Sequence, residues 1–176
     1  MKKIAVLIAD GSEEIESLTP VDVFRRAGAD CDLVSVCGEF ITGSRKIEIK
    51  ADKLIGEVNF ADYDAVIVPG GMPGARIISE NVLAAAEVKA AMNSGKLVAA
   101  ICAAPAVFLA KHGLVSGRKI TCYPAEGFIG AIKAAGGEYT GKDVEEDKNV
   151  ITASGPKAAM AFSLAICEYL GLAPAF

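Results

Sequence analysis

The stretch Leu97-Val98-Ala99-Ala100-Ile101-Cys102-Ala103-Ala104-Pro105 decides the fold, because it carries a strand directly into a helix. Leu97–Ile101 is wholly apolar, which is typical of a parallel strand buried on both faces. The helical pattern begins without a loop and extends to His112-Gly113. Cys102 therefore occupies a tight turn, where small alanine neighbours relieve crowding as in the nucleophile elbow of serine hydrolases.

The rest of the chain alternates strand and helix patterns, which predicts a mostly parallel sheet with helices on both faces. Further strands are predicted at Ile4–Ala9, Cys31–Cys37, Ala65–Val68 and Lys119–Tyr123, and near Glu138–Thr140 and Val150–Thr152. Further helices are predicted at Glu13–Ala27 (with a start or bend at Thr19-Pro20), Asn81–Asn93, Glu126–Ala135 and Pro156–Leu170. Alternating residues around Thr42-Gly43 predict a small antiparallel excursion. The expected fold is α/β, a flavodoxin-like doubly wound sheet forming a single domain over residues 1–176.

The composition favours a well-packed globular protein and argues against several kinds of partner. Hydrophobic residues make up 52% of the chain and charged residues 23%, which excludes a disordered protein. The formal net charge is −4 and the basic residues are scattered, which argues against nucleic-acid binding. No apolar run approaches the ~18 residues that span a membrane. The run after Lys2-Lys3 meets Asp10 too soon for a signal peptide, so we expect a cytoplasmic protein.

The cysteines do not form a disulfide framework, because their number is odd, no CxxC motif occurs and no export signal is present. With a single histidine there is no Cys/His cluster, so no metal site is predicted. Most of the cysteines are expected to be small buried hydrophobes. They are Cys31, Cys37, Cys102, Cys122 and Cys167.

Cys102 is the candidate nucleophile, because it follows a strand at the sheet edge where doubly wound folds collect ligands. Free N–H groups and the dipole at the N-terminus of a helix would lower the pKa of its thiol. The competing interpretation is a cysteine that only packs in the sheet.

Two further strand ends carry candidate site residues. Gly70 and Gly71 follow the strand at 65–68, and without side chains they can turn backbone N–H groups toward a developing oxyanion. An ordinary strand-ending turn explains the two glycines equally well. Tyr123 and Pro124 follow the strand predicted at 119–123 and are candidates for the substrate pocket.

Three carboxylates follow the first strand, and one of them differs from the others. Glu13 and Glu14 are interpreted as helix N-terminal charges favoured by the dipole. Glu16 lies on another face, close to apolar Ile15 and Leu18, and can point into the crevice at the strand ends. Burial would raise the pKa of this carboxyl group. Held protonated, Glu16 would donate a hydrogen bond to the thiolate and titrate with it as a coupled pair.

His112 is rejected as a general base for Cys102. It lies ten residues further along the same predicted helix, roughly 15 Å along the axis. Its position before Gly113 is typical of a cation at a helix C-terminus.

Five segments together resemble the ThiJ/PfpI superfamily. They are Ala9–Glu16, Thr19–Gly28, Val68–Gly74, Ala99–Pro105 and Ser154–Pro156. The resemblance implies that Cys102 is the reactive, easily oxidised elbow cysteine and that Glu16 is the protonated glutamate beside it. It also implies that the backbone N–H groups of Gly71 and Ala103 form an oxyanion site. A homodimer that uses no metal or organic cofactor is expected on the same ground.

The sequence departs from the family pattern at three positions. Ala103 stands where the peptidase-like branch has a histidine, Tyr123 stands where the deglycase branch often has one, and Ser154 replaces a frequent arginine. The first hypothesis is therefore an enzyme acting on small reactive carbonyls, glyoxalase-like or deglycase-like, with Cys102 as nucleophile and Glu16 as proton shuttle. The alternative is a redox-responsive stress or chaperone-like protein in which Cys102 is oxidised. An intracellular cysteine peptidase is disfavoured by the missing histidine.

Overall fold

The computed structural model describes residues 1–176, and its helices and strands alternate along the chain. The elements are β1 (Lys3–Ile8), α1 (Glu14–Arg26), β2 (Asp30–Ser35), β3 (Phe40–Thr42), β4 (Glu48–Lys50), β5 (Lys53–Leu54), β6 (Ala65–Val68), α2 (Gly74–Glu80), α3 (Val82–Asn93), β7 (Leu97–Ile101), a π-helix (Pro105–Ala110), β8 (Lys119–Ile120), α4 (Glu126–Ala134), β9 (Glu138–Tyr139), β10 (Val144–Asp147), β11 (Val150–Ala153) and α5 (Ala159–Leu170). Short 3-10 helices cover Ile55–Glu57, Phe60–Asp62 and Pro156–Ala158.

A seven-stranded sheet forms the centre of the fold, in the order β10-β11-β7-β6-β1-β2-β5. All neighbouring pairs are parallel except β10 with β11. The five strands β2-β1-β6-β7-β11 follow the flavodoxin-like order 2-1-3-4-5, so the strand order reverses between β1 and β6. The predicted flavodoxin-like α/β fold is confirmed.

The sheet separates two apolar cores, because alternate side chains of each strand point to opposite faces. On one face, α1 and α5 bury Phe24 and Phe162 against Ile4, Val6 and Ile8 of β1. The other face carries α2, α3, the π-helix and α4, which pack on Ala5 and Leu7 of β1. No helix combines the length and the apolar character that crossing a membrane requires.

The predicted antiparallel excursion is confirmed as a hairpin of β3 and β4, separate from the main sheet. The helix predicted at Glu13–Ala27 is one element, and it neither starts nor bends into two at Pro20. A proline inside a helix removes one backbone hydrogen bond. The helix α1 continues beyond Pro20 because Val21, Val23 and Phe24 are buried in the core.

The strand predicted at Lys119–Tyr123 is wrong in its length and in its sheet. Only Lys119–Ile120 is a strand, and it pairs in parallel with β9 in a separate two-stranded sheet. Beyond it, the N–H of Thr121 donates to the hydroxyl oxygen Oγ1 of Thr152 at 3.0 Å. The alternation of apolar residues in this segment indicates burial. Its backbone at Thr121, however, is hydrogen-bonded to a side chain and not to a neighbouring strand.

The segment after Cys102 also differs from the prediction. Cys102 and Ala103 form a turn, and the following π-helix spans Pro105–Ala110 instead of an α-helix that reaches His112-Gly113. The patterns also did not predict α2 or the antiparallel edge strand β10. The turn predicted at Cys102 is present, and the element that follows it is a π-helix and not an α-helix.

Candidate active site

Three strand ends bring the candidate residues together where the strand order reverses. Glu16 lies in the first turn of α1, which follows β1. Gly70 and Gly71 follow β6, and Cys102 follows its neighbour β7. This is the edge at which doubly wound sheets place their ligands.

The backbone of Cys102 is strained and held on both sides. Its φ is 64°, a value that costs a non-glycine residue of order 1 kcal/mol or more. The Cys102 N–H donates to the carbonyl oxygen of Ala153 at 2.9 Å, and the Cys102 carbonyl oxygen accepts from the N–H of Tyr123 at 2.9 Å. These bonds fix the elbow that presents the half-buried thiol.

The Glu16 side chain is fully buried, and its two carboxyl oxygens have different surroundings. Oε2 accepts a 2.9 Å hydrogen bond from the N–H of Gly70. Oε1 is buried without a hydrogen-bond partner. The N–H of Glu16 donates to Oε2 of Glu13 at 2.9 Å, so Glu13 caps α1. An unpartnered buried carboxylate oxygen is costly, and protonation relieves that cost.

Glu16 and Cys102 titrate as a pair. Burial raises the pKa of Glu16 to about 7, and the neighbouring Cys102 thiol works in the opposite direction. Burial also raises the pKa of the thiol, and the Glu16 negative charge raises it further. The backbone N–H groups of Ala103 and Gly71 lower the pKa of the thiol, but by less. The pair therefore loses its first proton near pH 7 and holds the second much more tightly.

The prediction from the sequence that the pKa of the Cys102 thiol is lowered is therefore wrong. With Glu16 ionised, this pKa is raised. That expectation counted the N–H donors near the helix start, which are present, and neglected the burial of Cys102 and its carboxylate neighbour.

The site needs glycine at two positions for steric reasons. A Cβ on Gly70 would lie 2.7 Å from the Cys102 Cβ and would clash with the carboxyl oxygen of Glu16. Gly71 has a φ of 84°, and a Cβ there would meet the backbone of Ser12 at 2.9 Å. Close approach of these backbone segments therefore excludes side chains around the thiol.

A cleft of about 370 Å³ opens above the thiol. Its lining consists of Glu13, Glu16, Ser44, Arg45, Gly71, Met72, Cys102, Tyr123 and Pro156. A second cleft of about 500 Å³ adjoins it and shares Tyr123 and Pro156. The thiol is therefore accessible to a small molecule, with further room beside it.

The other predicted site residues occupy distinct places. Gly70 supports Glu16 but does not line the cleft, and Pro124 lines only the second cleft. Nε2 of His112 lies 2.9 Å from the carbonyl oxygen of Ser79, so its ring contacts α2 and not the cleft. No group of three or more His, Cys, Asp or Glu side chains is arranged to hold a metal ion.

Sequence reasoning missed the hairpin loop that forms one wall of the cleft. Glu14 is buried, and its carboxylate accepts the N–H of Arg45 at 2.7 Å and the hydroxyl of Ser44 at 3.1 Å. Glu14 therefore anchors this loop and is more than a helix-terminal charge. The turn residues Gly43 and Ser44 between two alternating stretches are the only local signal of the loop.

Fold and site together define a class of protein, a doubly wound α/β protein with a strained elbow cysteine beside a buried glutamate. A family model described as the DJ-1/PfpI family matches residues 2–169. The chain belongs to this family, which confirms the resemblance inferred from the sequence.

Individual relatives agree with this assignment. The chain is 36% identical to protein dj-1beta of Drosophila melanogaster over 170 residues, covering 96% of this chain and 89% of that protein. It is 35% identical to protein DJ-1 homolog B of Arabidopsis thaliana, covering 94% of this chain but only 37% of that longer protein. The solved structure of oxidized Toxoplasma gondii DJ-1 superposes with a TM-score of 0.90 at 39% identity, covering 97% of this chain and 91% of that one.

Proposed function

We propose that the protein is a cysteine-dependent enzyme that converts small 2-oxoaldehydes, such as methylglyoxal, to 2-hydroxy acids. One observation carries the proposal: the buried Glu16 carboxyl group, with a pKa of about 7, lies beside the Cys102 thiol beneath an open cleft. A general base works best when its pKa lies near the operating pH. Family membership supports this kind of chemistry.

The first step forms a carbon–sulfur bond. Sγ of Cys102 adds to the aldehyde carbon while the Glu16 carboxylate takes the thiol proton. The electron pair of the C=O bond moves to oxygen, where the backbone N–H groups of Gly71 and Ala103 beside the thiol would stabilise it. That oxygen then takes the proton, which gives a hemithioacetal.

The second step moves a proton between neighbouring carbons. The adjacent ketone acidifies the C–H of the hemithioacetal carbon, so the Glu16 carboxylate can remove this proton and return it to the former ketone carbon. The former ketone oxygen gains a proton and the hemithioacetal hydroxyl loses one, so the product is a 2-hydroxy thioester. Water then attacks the thioester carbon, and the carbon–sulfur bond breaks to release the 2-hydroxy acid and the Cys102 thiol.

The test is lactate formation from methylglyoxal by the purified protein. We expect Cys102→Ala and Glu16→Gln to lower turnover by at least about a hundredfold, the scale of a lost nucleophile or general base. Cys37→Ala, which alters another half-buried cysteine, is the matched control. In D2O, a proton carried by Glu16 exchanges with solvent, so lactate should acquire deuterium at C2. Equal turnover by wild type and Cys102→Ala would refute the proposal.

A second candidate is a redox response at Cys102. The backbone N–H groups of Ala103 and Gly71, which favour negative charge on the sulfur, suit the oxygens of a sulfinate, and the similar Toxoplasma gondii structure is of an oxidized form. Each of two hydrogen peroxide molecules would transfer one oxygen to the sulfur and leave as water. We expect a mass gain of two oxygens in the Cys102 peptide alone. Identical oxidation of Glu16→Leu would show that the glutamate has no part in it.

We also propose a homodimer. The family resemblance supports it, and so does an exposed apolar surface on α1 and α5 that contains Ile15, Leu18, Met160 and Leu164. Light scattering of the purified protein would measure the mass directly.

A further inference from the structure

The loop between β3 and β4 places one arginine at the Cys102 cleft. Ser44 and Arg45 of this loop line the cleft together with Glu16 and Cys102. The loop is far from both catalytic candidates in sequence, and the fold brings it over them.

The backbone of this loop is fixed from α1. The Glu14 carboxylate accepts hydrogen bonds from the Arg45 N–H at 2.7 Å and the Ser44 hydroxyl at 3.1 Å. Ser44 N–H also donates to the carbonyl oxygen of Ser12 at 2.9 Å. Gly43 is required beside these contacts, because a Cβ there would overlap the Glu14 carboxylate. Arg45 therefore starts from a defined position at the cleft wall.

The charged groups around the cleft do not form an ion pair with the Arg45 guanidinium, which is therefore available to bind a ligand. Arg45 takes part in none of the salt bridges of the chain. The Glu13 carboxylate is engaged by the N–H of Glu16, and the buried Glu16 shares its charge with the thiol. Arg45 is the only cationic residue among those that line this cleft.

We infer that Arg45 is a specificity-determining residue that binds an anionic group on the substrate, so that the preferred substrates are 2-oxoaldehydes carrying a carboxylate or a phosphate. The inference rests on the proposed 2-oxoaldehyde activity and narrows its substrate class. A guanidinium binds carboxylate and phosphate oxygens through paired, charge-assisted hydrogen bonds. Methylglyoxal has no group that could use them. The cleft of about 370 Å³ has room for a longer substrate.

The test compares 4,5-dioxopentanoate, a 2-oxoaldehyde with a terminal carboxylate, with methylglyoxal. We expect wild type to have the higher kcat/KM for the anionic substrate. Arg45→Gln should lower the ratio of the two kcat/KM values about tenfold, the scale of one hydrogen bond between charged groups. The loss should lie mainly in KM, and Arg45→Lys should restore part of it. High salt should lower the wild-type ratio and leave that of Arg45→Gln nearly constant.

Two control variants locate the effect. Lys46→Gln makes the same charge change at the next residue of the loop, which does not line the cleft, and should leave the ratio unchanged. Lys157 lines the adjoining cleft, so a lower ratio in Lys157→Gln but not in Arg45→Gln would overturn the inference. An unchanged ratio in Arg45→Gln would overturn it too.

A binding measurement separates this inference from the proposed function. Calorimetry on Cys102→Ala gives the affinity for 2-hydroxyglutarate, the expected product of 4,5-dioxopentanoate. Adding Arg45→Gln should weaken this binding about tenfold, while lactate should bind both proteins equally weakly. Turnover that is independent of Cys102 would refute the proposed function, and the calorimetry would still decide whether Arg45 binds the anion. No binding of 2-hydroxyglutarate, or equal binding with and without Arg45, would refute the anion site.

Discussion

The backbone N–H of Tyr123 donates a 2.9 Å hydrogen bond to the carbonyl oxygen of Cys102. This contact joins the segment after β8 to the elbow after β7. It is made by the backbone, whereas the Tyr123 side chain is 47% exposed and lies between the two clefts. The segment can therefore support the strained cysteine whatever side chain stands at position 123.

Removing this N–H should impair the elbow. We expect Tyr123→Pro, which cannot donate, to lower Cys102-dependent turnover at least about tenfold below Tyr123→Phe, because a misplaced nucleophile reacts slowly. The measurement is kcat for methylglyoxal in both variants, with circular dichroism to check folding. Equal activities would show that the hydrogen bond does not position Cys102.

Cys102 should be the fastest-alkylating cysteine, with a rate that rises as pH increases through about 7. The ionised Glu16 carboxylate can then take the thiol proton as the sulfur attacks, which compensates for the raised pKa of the buried thiol. Peptide mapping after brief iodoacetamide treatment measures this, with half-buried Cys37 as internal control. Glu16→Gln should abolish the rise. Comparable labelling at Cys37 or Cys122 would contradict the prediction.

Glu16→Gln should stabilise the protein in alkaline solution. The pKa of Glu16 is raised in the folded state from 4.5 to about 7, so the folded state binds the proton more tightly than the unfolded state does. Its contribution to stability is complete below pH 4.5 and is lost as pH rises through 7. Between pH 4 and pH 8, wild type should lose up to about 3 kcal/mol relative to Glu16→Gln in urea unfolding. The same trend in a Cys102→Ala background would identify burial as the cause, and parallel pH curves would refute it.

Gly70→Ala should lower the rate of catalysis and also the stability of the protein. The added methyl would crowd Cys102 and the carboxyl group of Glu16, and 1 Å displacements of reacting groups can cost about a hundredfold in rate. Overpacking of this kind typically costs about 1–3 kcal/mol of stability. Gly56→Ala, with no atom within 4 Å of the new methyl, is the control. Unimpaired turnover by Gly70→Ala would show that the Glu16–Cys102 spacing tolerates change.

His112→Ala should leave glyoxal turnover within about twofold of wild type. The ring bonds to the Ser79 carbonyl oxygen and lies 4.9 Å from the Phe108 ring centre, away from the cleft. Its loss should cost about 1 kcal/mol of unfolding free energy. We also expect no cleavage of unmodified peptides, because no imidazole is available to protonate the leaving amine. Peptide cleavage that disappears in His112→Ala would overturn this assignment.

The parts of the fold that the sequence predicted are those fixed by local pattern. Ala65–Val68 and Leu97–Ile101 were found with the predicted bounds, because strands buried on both faces are continuous apolar runs, and each of these two runs begins directly after a charged residue. Lys119–Tyr123 shows the limit of the same reasoning. Ile120 and Cys122 are buried, yet the hydrogen-bond partners of this segment come from several places in the chain, among them Thr152 and Cys102. Hydrophobic periodicity indicates which side chains are buried, but it does not identify the segment to which the backbone is hydrogen-bonded.

The candidate site also combines features that the sequence predicts with features that it does not. Glu16 follows β1 and Cys102 follows β7, the two strands that flank β6 in the doubly wound sheet, so their meeting could be anticipated from topology alone. The approach of Arg45 could not, because it depends on a long-range contact between the Glu14 carboxylate and a hairpin loop. The direction of the thiol pKa shift likewise depends on how deeply the whole fold buries the pair.

The two outer strands of the main sheet determine how the protein can aggregate. β5 at one edge is two residues long, and β10 at the other carries Glu145, Glu146 and Asp147 in succession. A short strand offers few free backbone groups, and an acidic one repels an identical strand, so neither edge templates the addition of another chain. Fibril growth would first require a segment to detach. Aggregation of this protein should therefore follow the rate of local unfolding more closely than the frequency with which folded molecules collide.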